Sequence, residues 1–91
     1  MYLDTSTKFY EILKKKADVY IHYGRVQSMT TQLPFGSFLL YKFPNAKDAK
    51  LFYDNQIEAK EKKGYILRKP LQTYNMKWMR EKAVPKIKNK I

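Results

Sequence analysis

Ninety-one residues make one domain with room for a single core, and at 44% hydrophobic and 15% aromatic, with eight tyrosines, the chain is globular rather than disordered. It has no cysteine, which excludes disulfides, a thiol nucleophile and cysteine-bound zinc; no apolar run nears the roughly 18 residues that span a bilayer, and residues 1–16 lack a secretory h-region, so an intracellular location is expected. Nineteen basic residues against eight acidic give a net charge of +11, and residues 68–91 set eight basic residues against Glu81 alone, a field that draws polyanions: nucleic acid first, then an anionic membrane or an acidic protein.

Residues 8–13 (Lys-Phe-Tyr-Glu-Ile-Leu) predict a first strand with Phe9, Glu11 and Leu13 on one face and Tyr10 and Ile12 on the other, apolar on both sides. Residues 14–18 form a charged connector of hairpin length. A second strand over 19–26 puts Val19, Ile21 and Tyr23 on one face and Tyr20, His22 and Gly24 on the other. Residues 27–31 are polar, 33–36 read as a turn from their Pro and Gly, and 37–43 as a third strand.

Asn45 is placed as the N-cap of a helix over 46–63, with Asp48 near the positive helix end. Ala49, Phe52, Tyr53, Gln56, Ile57 and Lys60 recur at three- and four-residue spacing, and Gly64 is placed for a left-handed C-cap after the basic last turn. Beyond Pro70, Leu71, Tyr74, Trp78 and Met79 fit either a short second helix or an irregular strap over the sheet. Residues 85–91 read as a mobile basic tail. The expected fold class is α+β: a small antiparallel sheet with one long helix packed across it and a basic C-terminal extension, divided as a domain over 1–78 and a tail over 79–91.

The segment with most chemical character is Tyr20-Ile21-His22-Tyr23-Gly24-Arg25-Val26, a strand expected to run into an aromatic-Gly-Arg turn. With Phe9-Tyr10 before it, and Asn45-Ala46-Lys47-Asp48-Ala49 through Lys60-Glu61-Lys62-Lys63-Gly64-Tyr65 after it, the ordered set resembles the WGR domain. That module binds nucleic acid in DNA-damage-dependent poly(ADP-ribose) polymerases and in some bacterial regulators. The resemblance covers residues 8–67, with an echo at Pro70 and Tyr74. Tyr23 stands where the signature has tryptophan, and Gln27 where a glycine often follows, so the next loop must take a different path. No ADP-ribosyltransferase region fits in 91 residues, and the resemblance implies a free-standing binding unit.

It also implies roles. The Tyr23 ring would pack on a terminal base or sugar at a DNA end, a stacking contact that contributes roughly 1–3 kcal/mol where base stacking is interrupted. Arg25 would hold phosphate through its fork of donors, and Gly24 would let the backbone approach the ligand. Lys14, Lys15 and Lys16, then Lys60, Lys62 and Lys63, then Arg68, Lys69, Lys77 and Arg80 would supply sequence-neutral affinity through counterion release.

His22, the single histidine, has no cysteine or second histidine with which to share a metal, so it reads as a bystander and neither metal nor cofactor is expected. Ser28, His22 and Asp18 lack a nucleophile elbow, and three glycines form no Walker or dinucleotide pattern, so catalysis is not expected. DNA ends and nicks are the first expected partner, with RNA open. The rival is a protein-interaction adaptor that uses the same aromatic-Gly-Arg face for an acidic partner. A third reading puts residues 71–91 on a membrane surface and ranks last.

Overall fold

A computed structural model of the chain describes residues 1–26, 36–68 and 86–89. Six strands and one helix follow in order: β1 (Tyr2–Asp4), β2 (Lys8–Lys15), β3 (Asp18–Arg25), β4 (Ser37–Lys42), α1 (Ala46–Lys62), β5 (Ile66–Arg68) and β6 (Lys86–Asn89). The strands form one sheet in the order β5-β1-β2-β3-β4-β6, antiparallel throughout except for the parallel β4–β6 pair. The fold is α+β, a six-stranded, mostly antiparallel sheet with a single helix across it among the described residues.

The β2–β3 hairpin is its centre. Lys15 pairs with Asp18, so the expected five-residue connector shrinks to Lys16 and Ala17, and Lys14 and Lys15 belong to the strand. A two-residue loop needs positive φ, which Lys16 supplies at 56°. From that turn the register continues without a bulge to Lys8 opposite Arg25. The alternation in the sequence therefore fixes two faces. Leu3, Tyr10, Ile12, Val19 and Ile21 look toward the helix and form the core with Ala49. Tyr2, Phe9, Glu11, His22 and Leu40 occupy the reverse face and are buried too.

The helix begins as its sequence predicts. The Asp48 N–H donates to Asn45 Oδ1 at 2.8 Å, and Asn45 Nδ2 returns a bond to the Asp48 carboxylate. Ala49 is fully buried, and Phe52, Tyr53 and Ile57 pack beside it against the core. Phe52 meets Tyr41 and Phe43, while Gln56 and Lys60 reach Tyr10, so the helix crosses the sheet from β4 to β2. It ends in a Schellman motif: Tyr65 N–H donates to Lys60 O, Gly64 N–H to Glu61 O, and Gly64 takes φ 96°.

Three strands were not expected. β1 and β5 have three residues each and β6 four, too few to display a period, and each is specified by the partner strand it lies against. The picture of a wholly mobile tail is corrected at Lys86–Asn89, which pair with β4. The expected loop over 27–35, the segment 71–83 and the boundary at 78/79 lie outside the described residues.

Candidate nucleic-acid interface

Tyr23, Gly24 and Arg25 are consecutive residues of β3, not a turn. Their side chains alternate, and that separates their roles. Tyr23 and Arg25 share the helix-side face, where Tyr23 is 42% exposed and Arg25 is also exposed. Directly across the ladder stand Tyr10 and Lys8, so the end of the hairpin carries an exposed phenol ring next to two cations.

The helix contributes a third cation. Lys60 Nζ lies 4.7 Å from the centre of the Tyr10 ring and 5.2 Å from that of Tyr65, and the two rings meet edge to face. Partial burial, then the nearby charges of Lys63 and Lys8, lower the pKa of Lys60 below the ordinary lysine value. Repulsion from Lys8 links the helix end to the Lys8–Arg25 rung electrostatically. Tyr10 itself donates to Gln56 Oε1 at 3.2 Å; burial, then the neighbouring Tyr41 and Tyr65, push its pKa up.

Beside this rung lies an open cleft of about 480 Å³ lined by Ser6, Thr7, Lys8, Arg25 and Val26. Its β1–β2 turn is held by Thr5, whose hydroxyl oxygen accepts from the N–H groups of Thr7 and Lys8 at 3.2 and 3.0 Å. Val26 N–H donates to Thr7 O at 2.9 Å and fixes the other wall. The cleft thus offers two cationic and two hydroxyl side chains on an ordered backbone, a donor set suited to phosphate oxygens.

Gly24 does something other than approach a ligand. A Cβ there would sit 2.9 Å from Gly36 Cα and 3.1 Å from the Phe9 ring, on the reverse face. Gly36, at φ 74°, has the same constraint: a Cβ would collide with the Tyr23 carbonyl oxygen and come within 2.9 Å of the Phe9 ring. The glycine of the signature therefore seats an aromatic row. Tyr2 stacks on Phe9, Phe9 meets His22 edge-on at 4.9 Å, and His22 stacks on Phe38 at 4.0 Å. His22 is a packed core residue with Nδ1 3.9 Å from Glu11 Oε1.

The remaining predicted cations scatter. Lys14, Lys15 and Lys16 are at the opposite end of the hairpin from Arg25. Lys62 is ion-paired with Glu58 at 3.1 Å, Lys63 is the exposed C-cap residue, and Arg68 bonds to Asp4 on the other side of the sheet from Tyr23. Lys69, Lys77 and Arg80 lie outside the described residues. Reading the sequence missed Lys8, Ser6 and Thr7. The signal was available for Lys8: once the turn is centred on Lys16-Ala17, partner numbers sum to a constant and Arg25 must face Lys8.

The model of the WGR domain matches residues 3–72, which takes in β1 through β5 and the helix. The chain belongs to the WGR domain family. No curated protein and no solved structure matches it. The WGR domain is a nucleic-acid-binding module rather than a catalytic one, so this domain has a nucleic-acid-binding role. Among the described residues no helix is long and apolar enough to cross a membrane.

Proposed function

We propose that this WGR domain recognises DNA ends and strand breaks, without sequence preference, through the helix-side end of the β2–β3 hairpin. Tyr23 stacks on the exposed terminal base or sugar, and Arg25 with Lys8 holds the adjoining phosphates. Lys60 and Lys63 add positive charge from the end of the helix. The observation that carries this reading is the exposure of Tyr23 on the same face as Arg25, across from Lys8 and beside the cleft. A ring can stack on a base only where a base is uncovered, which intact duplex does not offer; this gives the preference for breaks. Phosphate and sugar contacts position without reading sequence.

The test is fluorescence anisotropy with a closed DNA dumbbell and the same dumbbell carrying one nick, for wild type and Tyr23→Ala/Arg25→Ala, over a range of salt. The nicked form binds more tightly to wild type, and the double variant loses that preference. Equal binding of both forms by wild type overturns end recognition, and no binding to either at near-physiological salt favours the adaptor reading.

A further inference from the structure

Among the described residues, the cations of the central strands β2, β3 and β4 form two groups at opposite ends of the hairpin, while Arg68 of β5 and Lys86 of β6 lie on the outer strands between them. One is the Lys8–Arg25 rung. The other surrounds the Lys16-Ala17 turn, where Lys14, Lys15 and Lys16 are joined by Lys42 of β4 and Lys88 of β6. Lys14, Val19, Tyr41 and Lys88 make one rung, and Lys15, Asp18 and Lys42 make the next, with Asp18 the acidic member. Lys8 and Lys15 are the two ends of the eight-residue strand β2, about 23 Å apart at the strand rise.

What lies between decides that these are two surfaces. The Ile12–Ile21–Leu39 rung belongs to the core beneath the helix, and Glu11 and His22 are buried on the reverse face. Within β2, β3 and β4 neither rung presents an exposed cation; Lys86 extends the first only at the outer strand β6, and Arg68 extends the second only at the outer strand β5, where it is paired with Asp4, so the two groups are separated along the hairpin itself. The two ends also differ in kind. At the Arg25 end an exposed ring accompanies the cations; among the described residues the tip is lysine without arginine, its rings Tyr41 and Phe43 are engaged with Phe52 of the helix, and Tyr20, on the rung behind, is half-buried. Lysine is a point charge that meets phosphate without geometric selection. With no exposed ring among its described residues, this lysine surface offers no stacking platform with which to sense a break.

We propose that the hairpin tip is a second nucleic-acid surface, which takes the phosphate backbone of intact duplex and acts independently of the end-binding group. It rests on the DNA-end reading only for the role of Tyr23 and Arg25. The ligand is duplex DNA, and the surface contributes affinity equally to broken and unbroken forms.

Three versions of the full chain test this: wild type, Lys14→Glu/Lys15→Glu/Lys16→Glu, and Tyr23→Ala/Arg25→Ala, each against closed and nicked dumbbells across a salt series. Lys15 and Lys16 are exposed and Lys14 half-buried, so thermal melting checks the fold, and a Lys15→Gln/Lys16→Gln variant gives a milder second reading. Reversal at the tip weakens both DNAs by the same factor, about tenfold or more at low salt, lowers the salt slope by about three, and leaves the nicked-to-closed ratio unchanged. The Tyr23/Arg25 variant removes the ratio, and its closed-form binding weakens only by the loss of one cation, with the salt slope lowered by about one rather than three.

Closed-form binding untouched by reversal would overturn the proposal, because the tip lysines are then only solvated. Loss of the ratio on reversal would also overturn it, because the two ends then form one site. Were wild type indifferent to the nick while reversal still weakened both DNAs, end recognition would fall and the second surface would stand.

Discussion

The two faces of the sheet meet at Tyr23, Gly24 and Arg25 and use them differently. On the helix side the core of Tyr10, Ile12, Val19 and Ile21 gives way at the Arg25 end to an exposed ring and cations. On the reverse side the same stretch is closed: Gly24 packs on Gly36 and Phe9, within the row Tyr2, Phe9, His22 and Phe38. A three-residue signature thus combines two demands, with the side chains at its ends exposed on the helix side and the absent side chain in the middle required for packing. Stability and recognition should separate along this division.

Substitutions that probe the division span a range of effects on stability. Phe9→Ala removes a ring that is 1% exposed and should cost about 3–5 kcal/mol in urea unfolding, enough to leave a marginal domain. Gly24→Val comes next, at about 1–3 kcal/mol or more, because its side chain must displace Gly36 or the Phe9 ring. Any folded fraction of Gly24→Val should keep its preference for nicked DNA; a loss of preference at full stability would mean that Gly24 meets the ligand after all.

Tyr10→Phe removes the bond to Gln56 and should cost about 1 kcal/mol at neutral pH. It should also change the response to alkali. The raised pKa of Tyr10 means that the fold favours the neutral phenol, so its contribution is complete below the ordinary value of 10.0 and is lost as pH rises beyond it. Thermal melts of wild type should therefore fall more steeply above pH 10 than those of Tyr10→Phe, and parallel curves would contradict the buried-phenol account.

Lys16→Gly relieves a left-handed lysine and should stabilise by up to about 1 kcal/mol, without altering the nicked-to-closed ratio. Smallest in stability is Tyr23→Ala/Arg25→Ala, within about 0.5 kcal/mol by thermal unfolding, although it should have the largest effect on break preference.

Much of this was legible in the sequence. The alternation of Val19, Ile21 and Tyr23 against Tyr20, His22 and Gly24 specified both faces, because period two assigns every residue once one is placed. The Asn45 cap, the Ala49–Phe52–Tyr53–Ile57 stripe and the Gly64 stop gave the helix within a residue at its end. Less legible was anything set by pairing between distant segments. β1 and β5 exist because Tyr2–Asp4 find β2 on one side and residues 66–68 on the other. The role of Gly24 depends on Gly36, twelve positions away, and on Phe9 across the ladder, neither of which its neighbours in sequence announce. The lysine runs are separate in the sequence, which does not say where each lies relative to Arg25; the hairpin puts Lys14–Lys16 and Arg25 at its two ends.

The most direct measurement is a backbone amide NMR titration of the isotopically labelled chain with the nicked and the closed dumbbell. With nicked DNA the account predicts the largest shifts at residues 6–10, 23–26 and 60–65. Shifts at 14–18 should be the same for both DNAs. Shifts that spare residues 23–26 in the nicked complex, or that centre on the β5 edge at Ile66–Arg68, would contradict recognition through Tyr23 and Arg25.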